Sequence, residues 1–182
     1  TYFRQSLTII QQIENPLREA FVHNDLGLVA YRRGDYEEAL NYCQQGLTIR
    51  REIQTQPGIA YSLNNLGFIY LRLDPAKAQR SFHEALSIAR AIHATPLILE
   101  IIVGFAWLYV QQGKPFLAGE FVGLVQYHPM FTSYVEAYLD EFLPLLQGAL
   151  SETKIQNAVQ KGKNLDLDLV VKDLLDSFSN DR

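Results

Sequence analysis

The chain has 182 residues, of which 48% are hydrophobic, and a formal net charge of −4 with the signs interspersed. That is enough apolar surface for a folded core, which excludes general disorder, and the lack of a basic block argues against a nucleic-acid face. One cysteine, Cys43, excludes an internal disulfide and a multi-cysteine zinc site, and reads as a small buried helix residue in a reducing compartment.

Helical periodicity dominates the chain from the start. Phe3, Leu7, Ile10 and Ile13 recur at spacings of three and four, as do Tyr42, Gly46, Ile49 and Ile53. Breakers separate the periodic stretches at Asn15-Pro16, Gly34-Asp35, Gln56-Pro57-Gly58, Asp74-Pro75, Thr95-Pro96, Gly113-Lys114-Pro115 and His128-Pro129. Together they predict helices near 1–13, 17–33, 35–54, 57–72, 75–93, 96–112, 115–127, 132–149, 152–161 and 167–178. The alternation Leu165-Asp166-Leu167-Asp168-Leu169 is the one strand-like pattern, and it reads as the entry to the last helix, with Asp166 or Asp168 at the positive end. The apolar run from Pro96 to Val110 carries Glu100 and is short for a bilayer span, and no signal-peptide pattern is present. A cytoplasmic protein without membrane contact is expected. The chain begins with Thr1, and residues 1–13 read as the second half of a repeat, so a piece of a longer protein is expected, with the apolar face of that helix available for self-association.

The helices repeat. Asn24-Asp25-Leu26-Gly27 recurs 40 residues later as Asn64-Asn65-Leu66-Gly67, and Ser6-Leu7-Thr8-Ile9 foreshadows Gly46-Leu47-Thr48-Ile49. A period of this length marks units too small to bury their own apolar faces, which stack on one another instead. Gly27, Gly67 and Ala106 are small residues at equivalent points of successive first helices, and Ala39, Ala78 and Ala118 answer them from the second helices. A side chain at these points would hold the partner helix away.

Leu26-Gly27 followed by Gly34-Asp35-Tyr36-Glu37-Glu38-Ala39-Leu40 resembles the tetratricopeptide repeat, with its Leu-Gly pair, its Gly-Asp-Tyr turn and its alanine on the second helix. Asn65-Leu66-Gly67-Phe68-Ile69-Tyr70 is a second copy, and Phe105-Ala106-Trp107-Leu108-Tyr109 with Gly113 and Ala118 a degenerate third. The resemblance covers roughly residues 1–127 and is of the long-repeat type. It implies an all-α, right-handed superhelical solenoid of antiparallel hairpins over 1–127, followed by a helical C-terminal cap over 128–182. The tail, with Leu145-Leu146, Ala158, Lys161-Gly162-Lys163 and Leu165-Asp166-Leu167, is similar to the end of bacterial regulators that join a signal-transduction ATPase to a tetratricopeptide sensor.

No catalytic motif is complete. His83-Glu84 lacks the second histidine of a zinc-protease motif, and Gly113-Lys114 lacks the upstream glycine and the following Ser or Thr of a phosphate loop. The G-x-x-x-G formed by Gly119 and Gly123 sits on a short helix with Glu120, which favours close helix packing over a membrane dimer. Glu136, Asp140 and Glu141 read as a solvated face. No cofactor, metal or catalytic residue is expected, and the function is that of a binding module. The first helices of such hairpins line the concave side. Projecting away from the Leu-Gly seam selects Asn24, Leu28 and Arg32; Tyr61, Asn64, Asn65, Phe68 and Arg72; and Trp107 and Gln111. Asparagine amides can read a peptide backbone, arginine can fork onto a carboxylate, and aromatics supply contact area with few rotors. The same asparagines also belong to the repeat pattern, and Phe68 and Trp107 would equally pack against neighbouring helices. A protein or peptide ligand is expected in that groove; a scaffold without switching and a small-molecule sensor are the alternatives.

Overall fold

The computed structural model describes residues 15–179, and among these every regular element is an α-helix. The helices are α1 (Pro16–Arg32), α2 (Tyr36–Glu52), α3 (Gln56–Leu73), α4 (Pro75–Ala91), α5 (Thr95–Gln111), α6 (Pro115–Gln126), α7 (Ser133–Ala149), α8 (Glu152–Gly162) and α9 (Leu167–Ser179). Each coincides with a predicted helix to within a few residues. The helix expected over 1–13, and with it the surface expected for self-association, lies outside the described residues. The chain divides into two compact units, one ending at Ile88 and the other beginning at Ala89. That division falls inside the stretch expected to form one array.

In the first unit, local chemistry starts and stops the helices. The Asn15 side chain accepts a hydrogen bond from the Arg18 amide at 3.0 Å, Pro16 occupies the first turn, and Glu19 complements the positive end of the helix. Gly34, at φ +81°, reverses the chain between α1 and α2 in a left-handed conformation that a side chain would strain. The Asp35 amide closes the turn on the Ala30 carbonyl at 3.0 Å.

Packing then follows the small residues. A Cβ on Gly27 would collide with the sulfur of Cys43 and lie 3.2 Å from the Ala39 carbonyl oxygen, and both Cys43 and Ala39 are fully buried. The next hairpin repeats the contact with a larger partner. Gly67 leaves room for the ring of Phe82, whose Cδ1 and Cζ would stand 2.6 and 2.7 Å from a Cβ there. Phe82 in turn meets Phe68 edge-on with ring centroids 5.2 Å apart. Glycine thus lets α1 approach α2, and α3 approach α4, at positions 40 residues apart.

The second unit is built on the α5–α6 hairpin, turned at Gly113 with φ +74°. Residues Leu97–Leu108 of α5 are buried without interruption, so this helix is covered on every side. Helix α7, capped by the Thr132 hydroxyl, lays Leu139, Phe142 and Leu146 into the core, with Phe142 5.9 Å from the Trp107 ring. Helix α8 crosses α6 through small residues on both sides. A Cβ on Gly119 would stand 2.7 Å from that of Ala158, one on Gly123 would meet the Val159 backbone, and one on Gly162 would meet the Glu120 backbone. The G-x-x-x-G of α6 is therefore a contact within the unit. Lys161 locks the crossing from the surface, donating to Glu120 at 2.8 Å.

Candidate binding face

The candidate residues separate by their place along each helix. Tyr61, Arg32, Arg72 and Gln111 are exposed, and Leu28 is half-buried. Asn24, Asn64, Asn65, Phe68 and Trp107 are buried, Asn64 completely. The expectation that these five side chains line an open groove is corrected by a physical cause: residues 62–69 of α3 form an unbroken buried stretch, as do residues 97–108 of α5. The middles of these helices pack all round, and only their ends reach solvent. Phe68 spends its ring on Phe82 and Trp107 on Phe142. Glu100, on the same face of α5, is buried as well, and desolvation raises its carboxyl to about 7. Trp107 and Gln111 belong to the second unit, and the other candidates to the first.

What the first unit does assemble is a buried polar group that the sequence did not announce. Arg50, in the last turn of α2, would ordinarily be read as a surface charge complementing the negative end of that helix. It is instead 2% exposed. Its Nη1 donates to the Gly58 carbonyl at 3.0 Å and to the Ser62 hydroxyl at 2.8 Å. The Ser62 hydroxyl donates onward to Asn24 Oδ1 at 3.4 Å. Asn24 is thus part of a relay joining α1, α2 and α3, not a solvent-facing amide. The Arg50 guanidinium also lies 5.0 Å from the Phe21 ring centroid. Phe21 itself is 54% exposed.

Electrostatics mark the same place. Burial lowers the Arg50 pKa, opposed by the nearby Cys43 and Asp25. Burial raises Asp25, opposed by Arg50. Burial lowers His23, with Glu19 3.8 Å away opposing it. The Cys43 thiol is pushed up to about 12 by burial, which makes it a packing residue and not a nucleophile. At the other end of the hairpins, Gly34–Glu38 and Leu73 line an open concavity of about 510 Å³. Among the described residues no group of three or more His, Cys, Asp or Glu side chains converges as a metal site, and no helix is long and apolar enough to cross a membrane.

A tetratricopeptide-repeat family model matches residues 1–52. Within that stretch the described part is the α1–α2 hairpin, with the Gly27–Ala39 seam and the Gly34 turn on which the resemblance rests. Neither the curated proteins nor the solved structures contain a match to the chain. The α3–α4 hairpin continues the pattern beyond the matched stretch, since Gly67 against Phe82 repeats Gly27 against Cys43. Tetratricopeptide repeats as a family mediate protein–protein interaction.

Proposed function

We propose that the chain is a non-enzymatic protein- or peptide-binding module, acting in the cytoplasm as the ligand-sensing part of a larger bacterial signalling regulator. The observation that carries the binding reading is a recurrence on exposed positions. Phe21 and Tyr61, 40 residues apart on α1 and α3, are both exposed aromatics, and Arg32 and Arg72, at the same spacing, are both exposed cations. Each helix therefore presents a ring near its start and a guanidinium at its end. Eleven residues of helix separate the two, about 16 Å at 1.5 Å per residue, which an extended segment of about five residues spans. Rings supply contact area at low entropic cost and the arginine ends choose an acidic partner. The regulator context rests on the similarity of the tail over residues 145–175.

Selection from a displayed random-peptide library tests the face. Peptides that bind should lose about tenfold in affinity on Tyr61→Ala and on Arg72→Ala, about 1.4 kcal/mol each, and should be indifferent to Glu37→Ala on α2. Peptides bound equally by all three variants would place recognition elsewhere. Reading the gene on its amino-terminal side tests the context: a phosphate-binding loop supports the regulator, and further repeats alone support a scaffold.

A further inference from the structure

We propose that the Nε–Nη2 edge of Arg50 is an oxyanion site, holding a carboxylate or phosphate oxygen pair beneath the Phe21 ring. The proposal deepens the binding reading by naming a chemical group that the α1–α3 face would take up, and it rests on that reading only for the source of the anion.

The argument begins with a cation that has lost its water. Arg50 is 2% exposed, and a guanidinium does not shed its proton in a protein, so the charge stays. A desolvated charge is stable only when paired and hydrogen-bonded. Among the described residues, both acceptors of Arg50 sit on Nη1: the Gly58 carbonyl and the Ser62 hydroxyl. The buried Nε has no hydrogen-bond partner. Asp25 acts on the guanidinium through space, from one helical turn beyond Phe21.

The satisfied and unsatisfied groups are arranged with a purpose a flat guanidinium makes plain. Nη1 occupies one side of the group within its plane, while the Nε–H and one Nη2–H point in parallel, in the same plane, from a second side. That second side is the edge that grips two oxygens of a carboxylate or phosphate at once. Two bonds to Nη1 hold the plane still, and the Ser62–Asn24 link holds Ser62 still, so the unbonded edge keeps a fixed orientation beneath the surface. The Arg50 guanidinium carbon lies over the Phe21 ring, 5.0 Å from its centroid, and the ring is itself half in solvent, so a rotamer change of Phe21 would uncover the cation.

The test titrates acetate and, separately, inorganic phosphate into the full chain, against chloride at matched ionic strength. The readout is the nuclear magnetic resonance signal of the Arg50 Nε–H, identified by its loss in Arg50→Lys. Saturable movement of that signal with either oxyanion, and not with chloride, is the expected result; which of the two acts distinguishes a carboxylate source from a phosphoryl one. Arg50→Lys keeps the charge and loses the fork, so oxyanion-dependent thermal stabilisation should weaken about tenfold or more in it. Phe21→Ala, which leaves Arg50 in place, should tighten binding several-fold by removing the cover. The proposal is overturned if all arginine Nε–H signals move alike, if Arg50 responds to chloride as it does to the oxyanions, or if it responds only in Asp25→Asn, which would make Asp25 its natural partner. Weaker binding in Phe21→Ala overturns it too. A positive titration with no selected peptide would sink the peptide reading alone, and the reverse would sink the oxyanion site alone.

Discussion

The crossing of α6 and α8 offers the sharpest test of the packing, because one substitution type should change sign with position. At Gly123 an added Cβ would stand 2.8 Å from the Val159 carbonyl carbon and 2.9 Å from its Cα. Favourable carbon contacts lie at about 3.5–4.0 Å, so α8 would have to retreat by on the order of 1 Å. It cannot do so freely, because Gly162 is held against the Glu120 backbone in the reciprocal contact, where a Cβ would find the Glu120 carbonyl carbon at 2.6 Å. Overpacking against backbone costs about 3 kcal/mol at the upper end of the usual range, and the gain in helix propensity from Gly to Ala returns about 1 kcal/mol. Gly123→Ala should therefore lose about 2 kcal/mol, a fall of about 4–8 °C in Tm for a chain of this length. Gly148, in α7, has nothing within 4 Å of its built Cβ, so Gly148→Ala collects the propensity gain alone and should stabilise by about 0.5–1 kcal/mol. Gly119→Ala meets only the Ala158 Cβ and should fall between the two, with Ala158→Gly restoring it. Urea unfolding of the set, with the slope checked for constancy, measures this. Shifts of the same sign for Gly123→Ala and Gly148→Ala would refute the crossing.

Two further outcomes follow from buried groups. Glu100 titrates in the folded chain at about 7, above its ordinary 4.5, because burial disfavours the carboxylate. The folded state then holds the extra proton between those values, so stability should fall as pH rises from about 4.5 to about 7 and level off above; the full effect is on the order of 3 kcal/mol, and urea midpoints across that window should lose this slope in Glu100→Gln. Gly27 and Cys43 should couple: Gly27→Ala drives a methyl into the Cys43 sulfur, Cys43→Ala removes that sulfur, and the double variant should be more stable than the sum of the single losses by about 1 kcal/mol or more, with strict additivity counting against the seam.

The hairpin seam was readable because its cause is local. Gly27 and Gly67 leave no room for even a methyl group against Cys43 and Phe82, and the three alanines on the second helices, Ala39, Ala78 and Ala118, are fully buried. Helix ends were readable for the same reason, since Asn15-Pro16 and Gly34 act within a few residues of themselves. Phe68 turns its ring onto Phe82 in its own hairpin and Trp107 is covered by Phe142 of α7, contacts that helical periodicity does not specify, and Asn64 is fully buried in the same stretch of α3 as Phe68. Arg50 was invisible for a different reason. A last-turn arginine is a surface residue by default, and only the three-dimensional approach of Gly58 and Ser62 makes it an interior one.

A repeat array also limits where recognition can occur. The middle of α3 is buried from 62 to 69 and the middle of α5 from 97 to 108, so neither helix can offer a ligand its central turns without unpacking. The ends remain: Tyr61 before the buried stretch of α3 and Arg72 after it, and Gln111 after that of α5. On α1 the exposed positions run further inward, with Phe21, Asp25, Val29 and Arg32 at spacings of four, four and three along one face. That face crosses the buried Arg50 at Phe21 and Asp25 and ends on an exposed cation at Arg32. A segment lying along it would meet an apolar ring, an acid and a guanidinium in that order, with the Arg50 charge beneath the first two. The charge pattern of that series predicts where an acidic group seats. A ligand carrying one acidic group should seat it at Arg32 or over Arg50, and moving the acidic group along an otherwise apolar five-residue peptide should give two maxima in affinity, one at each end. A flat profile, or a single maximum in the middle, would mean that α1 is not the track.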